Sequence, residues 1–275
     1  MGKFDGILIC TDLDGTLLKN DKTVSEENLR AIEYFKSEGG RFTFVTGRLP
    51  YYVGKAFDLV RPNAPIGCAN GGGVYDFASD EYVWTCPLSR EALPLVEHID
   101  GLFPNVGIQA VCFGNTYFCK ENITMKEFRR VTGLENLAVG YYDVKEPMAK
   151  IIFGSDDGEE LLAVEAALRA HPLATEFDFI RSERTLFEIL PKGIGKGTAL
   201  LKLCEHLGIP IGRSVAIGDY DNDVSMLRAA GVGVAVSNAS PRALAAADTV
   251  TVSNEESAIA RVISDIESGV LMLRS

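Results

Sequence analysis

Short apolar runs that stop abruptly at polar residues recur near both ends of the chain. The first is Ile7-Leu8-Ile9-Cys10-Thr11, which ends at Asp12-Leu13-Asp14-Gly15-Thr16. An unbroken apolar run is the pattern of a parallel strand buried on both faces. Thr23-Val24-Ser25-Glu26 fits a capping box and predicts a helix carrying Leu29, Ile32 and Phe35, closed by Gly39-Gly40. Arg41–Val45 predicts a second strand, leading into Thr46-Gly47-Arg48, and Pro50 suits the first turn of another helix. Pro65–Asn70 predicts a third strand, broken by Gly71-Gly72-Gly73.

The rhythm then changes. Val74–Phe77 and Tyr82–Thr85 flank a polar turn and predict a hairpin. A helix over about Arg90–Leu102 precedes strands around Gly107–Phe113 and Thr116–Cys119. Strands near Lys150–Phe153, Phe177–Arg181 and Leu186–Leu190, with a helix near Gly158–His171, complete a mixed module. From Lys196 strands and helices alternate again: a helix to Leu207, a strand Ser214–Ile217, a helix Asp221–Ala230, a strand Gly231–Val236, a short helix Ala243–Ala247, a strand Thr249–Val252 and a terminal helix from about Glu255. The economical reading is an α/β core of residues 1–80 and 191–275, interrupted by an α+β insertion of residues 81–190.

Composition narrows the partners. The chain has 275 residues, 47% hydrophobic and 24% charged, and a formal net charge of −11. That charge disfavours nucleic acid and anionic membrane surfaces. No apolar stretch approaches the roughly 20 residues of a membrane span, and the start lacks a secretory pattern, which predicts a cytoplasmic protein. Six cysteines form no Cys-x-x-Cys pair and read as reduced thiols; Cys112 and Cys119, flanking Gly114-Asn115, are the pair nearest to a bridge.

Candidate chemistry gathers at strand ends. Ligands in open α/β sheets bind beyond the carboxyl ends of the strands. Asp12 and Asp14, Thr46 and Gly47, Lys196 and the group Asp219, Asn222 and Asp223 all fall at such ends or at the helix starts that follow them. Adjacent carboxylates repel and are costly to desolvate unless a cation compensates. Hard oxygen ligands suit Mg²⁺, Thr46 and the Gly47 N–H can hydrogen-bond phosphoryl oxygens, and Lys196 brings a compact positive charge. Together they predict a site for a metal ion and a small phosphate ester, with a carboxylate as nucleophile.

These four segments, Asp12-Leu13-Asp14-Gly15-Thr16, Thr46-Gly47-Arg48, Gly195-Lys196-Gly197 and Gly218-Asp219-Tyr220-Asp221-Asn222-Asp223, resemble the ordered motifs of the haloacid dehalogenase superfamily. The insertion between the second and third, with Ala69-Asn70-Gly71 and Val252-Ser253-Asn254, resembles the Cof-type phosphatases. The resemblance implies a Rossmann-like parallel sheet with an inserted cap that closes over the site. It implies Asp12 as nucleophile, and Asp14 as the acid that protonates the leaving alcohol and then activates water. Asp12, the Asp14 carbonyl and Asp219 would bind Mg²⁺; Thr46, Gly47 and Lys196 would hold the phosphoryl group, Asn222 that group or a metal-bound water, with Asp223 supporting Lys196 or the metal. It implies no role for Arg48. Glu255-Glu256-Ser257-Ala258 and the lack of a lysine after Asn238-Ala239 depart from the family pattern.

Competing readings are a phosphotransferase or phosphomutase on the same fold and a non-catalytic phosphometabolite sensor; the paired Asp12 and Asp14 speak against the sensor. Each motif also has a plain structural reading: Asp-x-Asp-Gly as a turn, Asp221 as a helix-start acid. Gly195-Lys196 is not a P-loop, because Leu190 stands where that motif needs its first glycine. His98, His171 and His206 lack ligand spacing. Nothing in residues 82–190 reads as a code for one substrate, and the oligomeric state is not encoded in any motif.

Overall fold

The structure, a computed structural model, describes residues 2–273. The chain folds as two compact units, Met1–Thr85 with Gly195–Ser275, and Cys86–Ile194. The first unit opens with β1 (Leu8–Thr11), α1 (Glu26–Ser37), β2 (Arg41–Phe44), α2 (Lys55–Val60), β3 (Ile66–Cys68), β4 (Gly73–Asp76) and β5 (Glu81–Thr85). All four residues of β1 are buried, as its apolar run requires. The α1 cap is Ser25, whose side chain accepts from the Asn28 N–H, rather than Thr23; Ile32 and Phe35 are buried while Leu29 is only half-buried.

The second unit contains α3 (Leu93–Leu102), β6 (Gly107–Cys112), β7 (Thr116–Lys120), α4 (Ile123–Thr132), β8 (Met148–Gly154), α5 (Gly158–Ala170), β9 (Phe177–Glu183) and β10 (Leu186–Pro191). Its sheet runs β7-β6-β8-β10-β9, and every adjacent pair is antiparallel. One face carries Ile108, Ala110, Ile151, Phe153, Phe187 and Ile189 into a core with Leu95, Val96 and Ile99 of α3 and Leu161, Val164 and Leu168 of α5. This is the two-layer solution expected when helices cover one face of an antiparallel sheet. Neither Cys112 nor Cys119 forms a disulfide, nor does any of the other four cysteines.

The alternate face of that sheet holds an ion pair. Lys150 Nζ lies 2.9 Å from both carboxylate oxygens of Glu188, and both side chains are 2% exposed. Removing one partner of a buried pair typically costs about 3–5 kcal/mol, whereas an apolar pair of similar volume is close to neutral. K150M is therefore expected to lower the unfolding free energy by about 3 kcal/mol, and K150M/E188M to recover most of it. Denaturant titration of the three variants checks this; equal losses in the single and double variants would contradict it.

The chain returns to the first unit with α6 (Lys196–Leu207), β11 (Ser214–Gly218), α7 (Val224–Ala229), β12 (Val232–Ala235), α8 (Pro241–Ala246), β13 (Thr249–Val250) and α9 (Ala258–Glu267). Its main sheet is fully parallel, ordered β13-β12-β11-β1-β2. The chain builds outward from β1 in one direction and from β11 in the other, so the order reverses between them. That is the switch point where open α/β sheets leave a crevice at the carboxyl ends. Residues 81–85, read from sequence as the start of the insertion, pair with β4 and belong to this unit, while residues 191–194 belong to the other. Among the described residues no helix is long and apolar enough to cross a membrane.

Candidate active site

The crevice is lined by the residues that end β1 and β11. Asp12 follows β1 directly, its N–H bonded to the Ile217 carbonyl of the neighbouring strand at 2.9 Å. Asp219 follows β11, and its Oδ1 accepts from Thr16 Oγ1 at 2.7 Å. Asp223 sits in the one-turn helix Asp221–Asp223 beyond it. Asp12, Asp219 and Asp223 each offer a carboxylate oxygen, all within 4.8 Å of one another.

One lysine enters this acidic group. Lys196 opens α6 and is 0% exposed; its Nζ lies 2.7 Å from Asp12 Oδ1 and 2.5 Å from Asp223 Oδ1. Asp223 spends its other oxygen on the backbone, Oδ2 accepting from the Asp219 and Tyr220 N–H groups at 2.9 and 3.0 Å. With both oxygens engaged, Asp223 acts as a brace for Lys196 and for the 219–223 turn.

The charges show what the arrangement lacks. Burial pushes the Asp12 carboxyl well above its ordinary range, Lys196 pulling against it and the Asp223 and Asp219 charges adding to it. Burial and the Asp223 charge lift Asp219 to about 7. Burial alone would lower Lys196, but Asp12 and Asp223 outweigh it and raise it. Three carboxylates face one ammonium, a surplus of negative charge that a divalent ion would neutralise. Asn222 adds a second sign: its Oδ1 is buried with no partner among the described residues. An all-oxygen donor set with an unspent acceptor beside it fits a hard cation that keeps its own waters, such as Mg²⁺.

Asp14 is placed differently. Its carboxylate is not in the triad but is gripped by Arg48, with Nη2 at 2.7 and 2.9 Å and Nε at 3.2 Å. Lys22 Nζ adds a contact at 2.7 Å. Burial would raise Asp14, but the Arg48 charge and then Lys22 outweigh it and lower its pKa. Two-point guanidinium pairing fixes a carboxylate in orientation as well as in charge. Sequence reading gave Arg48 no role and overlooked Lys22, because neither spacing nor residue type announces that side chains 34 and 8 residues away turn back onto Asp14.

The phosphate-side candidates form their own chain of contacts. Thr46 is buried, its Oγ1 accepts from the Arg48 N–H at 3.2 Å, and its carbonyl accepts from the Asn70 N–H at 3.1 Å. Gly47 lies against the Asn70 side chain: a Cβ there would stand 3.0 Å from Asn70 Oδ1. Asn70 Oδ1 accepts from Asn222 Nδ2 at 3.1 Å. The loop after β1 is tied down from the far end of the sequence, with Asn238 Nδ2 donating to the Gly15 carbonyl at 2.9 Å and Asn254 Nδ2 to that of Leu18 at 3.0 Å. Every residue of this constellation belongs to the first unit.

Comparison with known proteins agrees with the architecture. The profile of the haloacid dehalogenase-like hydrolases matches residues 9–263. The 5-amino-6-(5-phospho-D-ribitylamino)uracil phosphatase YitU of Bacillus subtilis is 30% identical over 270 residues, covering 94% of this chain and 96% of its own. Phosphatase YwpJ of the same organism is 27% identical over 287 residues, covering 94% and 99%. Among solved structures, a haloacid dehalogenase-like hydrolase from Bacteroides thetaiotaomicron superimposes with a TM-score of 0.80 at 27% identity, covering 94% of this chain and 99% of that one. The chain belongs to the haloacid dehalogenase superfamily, among its Cof-type phosphatases.

Proposed function

We propose that the protein hydrolyses small phosphorylated metabolites, sugar phosphates or similar polyol phosphates, through an aspartyl-phosphate on Asp12 and with Mg²⁺. The carrying observation is Lys196 held between Asp12 and Asp223 with Asp219 alongside. A carboxylate attacks a phosphate dianion only where positive charge offsets the repulsion, and this geometry supplies one fixed cation and the ligands for another. Asp12, Asp219 and the Asp14 carbonyl would hold Mg²⁺, which when bound screens the phosphoryl oxygens and orients them for attack.

An Asp12 oxygen then bonds to phosphorus as the ester P–O bond breaks, and the leaving alkoxide takes a proton from Asp14. Asp14, now ionised, removes a proton from water. The water oxygen bonds to phosphorus, the Asp12–phosphorus bond breaks, and orthophosphate leaves. Lys196, Thr46, Gly47 and Asn222 hold the phosphoryl group through both steps, with Asp223 fixing Lys196. The Arg48 and Lys22 contacts favour the ionised Asp14 that the second step needs. Asp14 must part from at least one of them to carry the proton of the first. The first unit holds all of this chemistry. The related YitU, by its name, acts on a phosphorylated ribityl chain, which supports a polyol phosphate as the substrate class.

A phosphate-release screen over sugar phosphates, polyol phosphates and nucleotides tests this. Turnover is expected with Mg²⁺ and is expected to fall roughly hundredfold or more after chelation; no release from any phosphate ester would refute the reading.

Protons and the metal ion compete for the same oxygens. Asp219 keeps its proton up to about 7 in the folded chain, against about 3.9 when unfolded. The folded state binds more protons across that window, so Asp219 makes the metal-free protein less stable as pH rises through it. Metal affinity rises over the same range because the ligand must be deprotonated. Added Mg²⁺ is therefore expected to raise the melting temperature clearly at pH 8 and little at pH 5; equal shifts at both would contradict the assignment of Asp219.

A further inference from the structure

The turn after β3 is held in an uncommon conformation. Ala69 has φ 53°, Asn70 φ 52° and Gly71 φ 102°. Left-handed backbone is rare outside glycine and asparagine, and successive examples persist only where surrounding contacts enforce them. Those contacts run to the candidate site. The Ala69 N–H bonds the Arg48 carbonyl and the Asn70 N–H that of Thr46, both at 3.1 Å. A Cβ at Gly71 would stand 1.9 Å from the Gly195 carbonyl oxygen, so the turn also presses on the residue that precedes Lys196.

Asn70 is the hub of this turn. It is fully buried, its amide lies over Gly47, and its Oδ1 takes an N–H of Asn222. That bond settles which way the Asn222 amide faces and leaves Asn222 Oδ1 as the buried acceptor without a partner among the described residues. We propose that Asn70 is a positioning residue, which locks the Thr46-Gly47 loop to the 221–223 turn and, by taking one N–H of Asn222 Nδ2, turns the other N–H of that amide toward the reacting phosphate. This rests on the phosphatase reading above and extends it to a residue outside the predicted set. Small misplacements of such groups are costly because phosphoryl transfer depends mainly on positioning.

Asn70→Gly isolates the side chain, since glycine takes the left-handed backbone without penalty. The variant is expected to fold with a somewhat lower melting temperature, since a buried hydrogen bond is lost, and to lose roughly a hundredfold in kcat/KM and raise the inhibition constant of orthophosphate about tenfold. Asn222→Ala should show a similar loss, and N70G/N222A no more than the larger single loss, because the two act as one unit. Asn70→Asp keeps the acceptor for Asn222 and tolerates the backbone, but sets a negative charge over Gly47; its inhibition constant for orthophosphate is expected to rise at least as much. If N70G does not fold, N70D carries the test. Wild-type orthophosphate inhibition in the folded variants, or losses that multiply in the double variant, would overturn the proposal. A wild-type protein that releases no phosphate would instead overturn the phosphatase reading, and with it this one.

Discussion

Asp12→Asn is expected to remove turnover almost entirely, by at least about 10⁴-fold, as deletion of a covalent nucleophile does. An amide oxygen cannot form the acyl-phosphate, so neither half of the reaction has a route. The fold should not suffer. Lys196 keeps Asp223 at 2.5 Å when the Asp12 charge is gone, and the acidic group loses one of the charges that repel each other. The melting temperature of D12N without divalent ions is therefore expected to equal or exceed that of the wild type. Phosphate release and a thermal melt on the same sample settle the matter. Retention of most activity, or a variant that fails to fold, would contradict the place given to Asp12.

Lys196→Met is expected to damage both stability and turnover. Lys196 is 0% exposed between Asp12 and Asp223. Removing it leaves buried carboxylates face to face, a cost of about 3–5 kcal/mol, and takes away charge stabilisation that is worth roughly a thousandfold in rate. Divalent ions should restore part of the stability and little of the rate, because a metal held by Asp12 and Asp219 would not replace the ammonium between Asp12 and Asp223. Lys196→Arg is expected to fail as well: a planar guanidinium does not fit a fully enclosed point-charge position. A K196M protein with near wild-type turnover would sink the assignment.

The elements that hold the site were readable where one physical rule dominated. Asp12 and Asp219 stand out because each ends a buried apolar run, and carboxylates there need a reason. Lys196 was visible for the same reason, as a cation at a helix start where the helix dipole disfavours it. Asn70 was visible only as the end of a strand and as part of Ala69-Asn70-Gly71, with no role attached. The chain turns left-handed at Ala69 because the backbone contacts of Arg48 and Thr46 capture it, and those are tertiary. Arg48 and Asp14 meet through side-chain orientation, which no spacing encodes. Helix α4 went unpredicted because its few apolar residues, Ile123, Met125, Phe128 and Val131, are scattered among charged ones, and only Met125 is buried. Its cap was the available signal, since Asn122 accepts from the Met125 N–H. In the insertion, β6 pairs with β8 as well as with β7, an order that individual strand patterns do not carry.

The central place of β1 has a consequence for synthesis. Its two hydrogen-bonding partners, β2 and β11, lie on opposite sides of the insertion in the chain. While a ribosome is still making residues 86–194, Leu8–Thr11 has one flank zipped to β2 and the other bare, the kind of apolar edge that recruits foreign strands. Only when residues 214–218 emerge can that flank close, and in the same event Asp12 gains its neighbours from the second half. Nascent chains paused in between should therefore be sticky and unable to turn over substrate, and chaperone capture would be expected to concentrate in that interval of elongation.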